Sequence, residues 1–429
     1  MPDGFPARHF SSSQMPPSRC HAIAEGSFFR GRSMAGTFDF IIVGKGMMGA
    51  AAARHLARSG AKIALIGPDE PEDWASHNGV FSSHYDNGRI TRTIDSDPVW
   101  ALLAQRSIER YGDIASGSGV DFYSEAGCLI AAPLPGGEEP TLDHVIAARN
   151  RLGVEAPFVD EQELAGQFPW FRFPAGYGGV FEPRNAGHID PRALVKAQVI
   201  LAEKAGVTVV RSEVSAVVRV GSAVNIRTVD GATFSAGRIV IAAGGFSISR
   251  QLLARPLDLT VKARTVLFAE VAEADLPRFA GMPSLIGSAL QQDESYYLLP
   301  PIRYPDGKHY IKIGGDPSDI TIASEPEVRA WFRGEANQSA ANHMAGLLSR
   351  AMPSFKPASL RWSPCVTTFT RHGYPYIGFA DSDRIAVLTG GNGMAAKSSD
   401  EIGRLGAQLL LGGVLDAPEY DTDFAVCFR

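Results

Sequence analysis

The stretch FDFIIVGKGMMGAAAARHLARSGAKIALIG, residues 38–67, decides the fold. Phe38 to Val43 is an apolar run of strand length, AAAARHLA has helical character, and KIALIG is a second buried strand. Strand, helix and strand in that order make a βαβ unit. Glycines 44, 46 and 49 fall in the turn between the first strand and the helix, and each has a physical task in dinucleotide binding. Gly44 turns the chain tightly, Gly46 lets backbone amides approach a diphosphate, and Gly49 lets helix and strand pack closely. Met48 lies in the same turn, at a helix N-terminus that favours anions. A lone GxGxxG is weak, but this one has the right element on each side. One position departs from the pattern. The ribose-binding carboxylate is expected at the end of the second strand, where Gly67 stands; Asp69 is the nearest substitute and Glu70 a weaker one.

Outward from this unit, a nicotinamide enzyme would continue directly into further alternating strands and helices. Here a long polar segment follows Ile66, and nucleotide-domain signals return only at RIVIAAGG (238–245, containing Gly244) and at RIAVLTGGNG (384–393, containing Gly391 and Gly393), which runs into a C-terminal helix. Two excursions rich in strand patterns separate these pieces. The expected class is α/β: a Rossmann-like nucleotide domain assembled from residues 37–80, 183–256 and 361–429, with a mixed-sheet substrate domain from 81–182 and 257–360. Residues 1–36, rich in Ser, Pro and Arg without apolar periodicity, read as a disordered or non-native extension.

The bulk numbers narrow the function. A net charge of −5, from 41 basic and 46 acidic residues, gives no electrostatic footprint for nucleic acid or anionic lipid. No apolar run approaches the length needed to cross a bilayer, so no membrane partner is expected. Cys20, Cys128, Cys365 and Cys427 show no CxxC pair and no disulfide rhythm, which fits a reducing, cytoplasmic setting. The histidines lack HxxxH or HExxH spacing, so no metal is expected, and no GxSxG elbow is present.

Several further motifs complete a pattern that resembles the D-amino-acid-oxidase superfamily of flavoproteins, and within it the monomeric sarcosine oxidase and N-methyltryptophan oxidase group. They are SSHYDNGRITR (82–92), SYYLLPP (295–301), HYIKIGGD (309–316), RWSPCVTTFT (361–370) and GGNGMAAKSS (390–399). The resemblance runs from Phe38 to the last helix. It implies FAD as cofactor, a small amino acid substrate, and oxygen or another electron acceptor as partner. It implies that Arg89 lies against the flavin, that Arg92 and Lys397 clamp the substrate carboxylate, that Lys312 sits over the reactive flavin nitrogen, and that Tyr297 lines the pocket. It also implies that Cys365 bonds covalently to the flavin, with Thr368 and Thr370 in register; a buried, inert cysteine is the competing reading. If residues 82–92 form a helical turn, Arg89 and Arg92 share a face. Lys312 is notable without the family too, since a charge inside an alternating apolar strand needs a reason. Asp316 departs from the pattern, because the nearest members carry histidine there.

The reaction so implied is hydride transfer from the carbon beside nitrogen, hydrolysis of the imine, and reoxidation by oxygen with release of peroxide. Two rivals stay open at this stage: a dehydrogenase that passes electrons to a quinone or protein, and a non-catalytic flavoprotein subunit of an oxidase complex.

Overall fold

Two large sheets hold most of the strands in the computed structural model, which describes residues 34–381 and 383–429. The expected N-terminal extension therefore falls, for residues 1–33, outside the described residues, and the first strand begins at Gly36.

The first sheet is built on β1 (Gly36–Val43), followed by α1 (Met47–Ala57) and β2 (Ile63–Ile66). All three nucleotide-domain signals of the sequence meet in it. β1 pairs in parallel with β2 on one side and with the strand Thr233–Ile241 on the other, in register Phe40 to Arg238. The strand Ile385–Thr389 adds in parallel to that neighbour, Ile239 opposite Ile385. Parallel strands are covered on both faces, and Ile41, Ile42, Leu65 and Ile241 are accordingly buried.

Helix α1 packs on this sheet against the C-terminal helix Ala395–Gly412. The contact is close because small residues meet: a Cβ on Gly403 would lie 2.5 Å from Ala51 Cβ and 2.6 Å from the Ala52 nitrogen. A buried ionic group stitches the same helices. Asp400, fully enclosed, accepts from Arg54 at 2.6 Å and from Gln198 at 2.8 Å, with His55 and Arg110 also on it. Burial opposes its charge, but His55, Arg54 and Arg110 outweigh that and hold the carboxyl well below its usual range. This anchorage fixes the helix whose N-terminal loop reaches the site.

The second sheet has nine strands among the described residues and is mostly antiparallel. Its longest pair joins Leu259–Val271 to Leu360–Thr370 without a break, Leu259 opposite Thr370 and Ala269 opposite Leu360. One parallel pair, Ser284–Gly287 with Cys128–Pro133, makes the sheet mixed. The boundary expected at residue 361 thus cuts close to the start of a strand of this sheet: residues 361–370 pair here, not with the nucleotide-domain strands. The physical reason is the continuous ladder, which ties RWSPCVTTFT to its antiparallel neighbour over its whole length.

A small three-stranded sheet, in which Gly187–Ile189 lies between Arg89–Thr91 and Tyr123–Ser124, stands beside the site. Arg89 to Thr91 is therefore a strand, so the helical turn on which a shared face for Arg89 and Arg92 depended does not form. Arg92 lies just past the end of that strand, and the two arginines take different partners, Arg89 pairing with Asp86 and Arg92 with Asp95. That single local difference separates the two arginines.

Candidate functional site

Between β1, the start of α1 and the Ala242–Phe246 segment lies a cavity of about 250 Å³. Gly44, Gly46, Met48, Gly244, Gly391 and Gly393 all line it. Gly44 has φ +111°, and a Cβ there would stand 2.3 Å from the Ala242 carbonyl oxygen. Gly49 lies behind the lining, where a Cβ would come within 1.9 Å of the Gly44 oxygen. By contrast, a Cβ on Gly46 would meet nothing nearer than Ser82 Oγ at 3.6 Å, so that glycine keeps the cavity open instead of sparing a clash. The bare backbone at the N-terminus of α1 is a cradle shaped for a diphosphate.

The loop at 390–393 is held from the strand Leu360–Thr370. Thr368 accepts through Oγ1 from the Gly391 amide at 3.0 Å, its carbonyl accepts from the Asn392 amide at 2.7 Å, and the Thr370 amide donates to Asn392 Oδ1 at 3.0 Å. Thr368 and Thr370 thus tie Cys365's strand to the glycine loop.

On the ribose side the structure corrects an expectation. Asp69 does not line the cavity: it is more than half exposed and held by Lys45 and by Arg211 at 3.4 Å. No side chain fits at Gly67 either, since a Cβ would lie 2.6 Å from the Lys45 nitrogen. The carboxylate in the lining is Glu213, which accepts from the Val80 amide at 3.0 Å and pairs with Arg329. His84 also faces the cavity; burial, then Arg192, Lys45 and Arg89, push its pKa down to about 3, so the imidazole is neutral.

A second cavity of about 360 Å³ shares Ser82, Ser83, Tyr85, Arg89 and Cys365 with the first. Arg89 donates to the Ser83 carbonyl at 2.8 Å, lies 3.8 Å from Cys365 Sγ, and is paired with Asp86. On the same Asp86 carboxylate sits Lys312, which also donates to the Gly88 carbonyl at 2.8 Å. Lys312 has no exposed surface. Burial, then the Arg89 cation, push its pKa well below the ordinary value, while Asp86 and Gly88 accept its protons and favour the ammonium form. Tyr304 donates to the other Asp86 oxygen at 3.0 Å. The Tyr297 ring centre lies 5.9 Å from Lys312 Nζ, and burial raises the Tyr297 phenol to about 12.

Arg89, Lys312, Tyr297 and Cys365 are thus brought to one corner. Arg92 and Lys397 are not: they converge instead on Asp95, at 2.7 and 3.1 Å, and of these six residues only Arg89 and Cys365 line a cavity. Asp316 likewise stays outside, accepting from the backbone amides of Thr265 and Ser318. Sequence reasoning missed Asp86, Asp95 and Glu213. Asp86 and Asp95 stand three residues before and after the two arginines, an ion-pair spacing that was available to be noticed.

Residues 39–409 match the family model of FAD dependent oxidoreductases, DAO. The chain belongs to that family. FAD is its cofactor and oxidoreduction its chemistry, in keeping with the glycine cradle above. The family's monomeric sarcosine oxidase from Bacillus sp. (strain NS-129) is 25% identical over 394 residues, covering 89% of this chain and 94% of that one. Among solved structures, NikD, described as an unusual amino acid oxidase essential for nikkomycin biosynthesis, superposes with a TM-score of 0.72 at 19% identity, over 92% of this chain and 98% of that one. Glycine oxidase from Bacillus cereus gives 0.64 at 19% identity, over 91% and 99%. These likenesses establish the family fold. Among the described residues no helix is long and apolar enough to cross a membrane.

Proposed function

We propose that this chain oxidises the carbon–nitrogen bond of a small, N-substituted amino acid or amine and passes the electrons to oxygen. One observation carries the reading: Arg89 and Cys365 stand in the wall shared by the two cavities, and the Asp86 carboxylate paired with Arg89 also holds the fully buried Lys312 behind that wall. FAD held there supplies the two-electron chemistry at the substrate carbon and the route of the electrons to oxygen. The protein's part is electrostatic and positional. Gly44, Gly46 and the start of α1 hold the diphosphate, and the 390–393 loop, its Gly391 and Asn392 amides engaged by Thr368, lines the cavity through Gly391 and Gly393. Asp86 and Gly88 keep a proton on Lys312, so that a buried cation stands ready where oxygen is reduced. Water then hydrolyses the imine to a carbonyl compound and a shorter amine.

Anaerobic mixing with a library of N-methyl amino acids, cyclic imino acids and the corresponding amines is expected to bleach the flavin with at least one member, and admission of air to restore the colour with stoichiometric peroxide. Bleaching by none would overturn the amine reading. Bleaching without peroxide would favour a quinone or protein as acceptor.

Cys365, on the wall of both cavities, is the proposed point of covalent attachment. Acid precipitation is expected to leave the yellow colour with the wild-type chain and to release it from Cys365→Ser; colour released from both sinks the bond. A cytoplasmic setting accords with Cys128, Cys365 and Cys427 all being free, and recovery of the protein from a periplasmic fraction would contradict it.

A further inference from the structure

In the dinucleotide-binding pattern the acid that binds the adenosine ribose stands at the end of β2, beside the turn that holds the diphosphate. Here the end of β2 still walls the cofactor cavity, through Ile66, Gly67 and Pro68. It brings no carboxylate. Gly67 has no room for a side chain, and Asp69 is drawn to the surface by Lys45 and Arg211. One strand further out, Thr208–Val210 pairs in parallel with β2, Ile66 opposite Val210, and the Gly67 amide donates to the Val210 carbonyl at 3.0 Å. Parallel neighbours end on the same side of a sheet, so the chain that follows Val210 emerges beside Gly67. Glu213, three positions on, lines the cavity, as does Val214 after it. The adjacent strand thus supplies a carboxylate at the same end of the sheet.

Glu213 is also held firmly. Its Oε2 accepts from the Val80 amide at 3.0 Å and from Arg329 Nη1 at 3.2 Å, and its Oε1 accepts from Arg329 Nη2 at 2.5 Å. Arg329 is anchored in turn, donating to the Asn78 carbonyl at 2.9 Å and pairing with Glu325. An ionised carboxylate offers about four acceptor positions. Three donors therefore leave one open, on Oε1, and the side chain keeps 14% of its surface exposed. A fixed, charged acceptor on a cavity wall suits a hydroxyl donor, because such a bond is stronger than one between neutral groups. We infer that Glu213 binds the adenosine ribose of FAD, accepting from its 2′- or 3′-hydroxyl in place of the acid that β2 lacks. The role concerns the cofactor alone and holds whichever amine is oxidised.

Binding measurements test it without recourse to activity. The full-length chain carrying Cys365→Ser, from which flavin can be removed and returned whatever its linkage, is titrated with FAD and with the FAD analogue that bears 2′,3′-dideoxyadenosine. Quenching of flavin fluorescence yields the two dissociation constants. The parent is expected to bind FAD at least about tenfold more tightly than the analogue, roughly 1.4 kcal/mol, and Glu213→Gln to shrink that ratio below about threefold. Asp69→Asn should leave it unchanged. Taking a ratio cancels any general loosening of the cavity when the Arg329 pair is lost. A parent ratio near one overturns the role of Glu213, as does a ratio that survives Glu213→Gln or collapses in Asp69→Asn. Should Glu213→Gln fail to fold, Glu213→Asp, which keeps the charge and withdraws it by one methylene, takes its place: the same fall is expected, and an undiminished ratio refutes the assignment.

Discussion

Lys312→Met is expected to slow reoxidation of the reduced flavin by oxygen about 100- to 1000-fold, the scale on which a single preorganised electrostatic group acts, while reduction by substrate falls far less. The asymmetry follows from charge. Negative charge grows as oxygen is reduced, and a cation enclosed away from water stabilises it far more than an exposed one does. Methionine approximates the shape of lysine without its charge, and the Asp86 carboxylate keeps a partner in Arg89 and a donor in Tyr304. The variant should therefore fold and stay yellow. Rapid mixing resolves the two half-reactions, and equal slowing of both would remove Lys312 from the oxygen step.

Two glycine substitutions are expected to fail in different ways. In Gly49→Ala the new methyl would stand 1.9 Å from the Gly44 oxygen, a backbone atom that cannot yield unless the turn between β1 and α1 opens. The expected outcome is loss of FAD binding together with a lower melting temperature. Gly46→Ala meets only ordinary contacts within the protein, Ser82 Oγ at 3.6 Å and His84 Nδ1 at 3.9 Å. Its methyl projects into the cavity where the diphosphate must approach the backbone. Stability of the apoprotein should be unchanged, with FAD affinity at least about 100-fold weaker, or roughly 2.7 kcal/mol. The ratio of flavin absorbance to protein, with calorimetry on the apoprotein, separates the cases. A fully yellow Gly46→Ala protein would mean that the diphosphate does not lie against this turn.

Much of this architecture was legible before any coordinates. The three nucleotide-domain pieces read from FDFIIV, RIVIAAGG and RIAVLT are parallel neighbours in one sheet. Lys312, singled out as a charge inside an apolar strand, has no exposed surface and is partnered through Asp86. The misreadings were of partners and local conformation. Asp69 was the nearest acid along the chain, but Lys45 and Arg211 hold it at the surface, while Glu213 arrives on the cavity wall from a distant segment. The three-residue interval between Arg89 and Arg92 suited a helix; pairing of Arg89–Thr91 with Gly187–Ile189 made it a strand and set the two arginines apart.

From its residue order alone, the chain determined a nucleotide cradle, because turn geometry, glycine spacing and apolar periodicity are local properties that neighbouring residues settle among themselves. What each buried charge would meet was decided only when the sheets and the C-terminal helix came together. Ionic partners inside a protein are chosen by proximity in space, and the carboxylates that claim Lys312 and Lys397 lie 226 and 302 positions away along the chain.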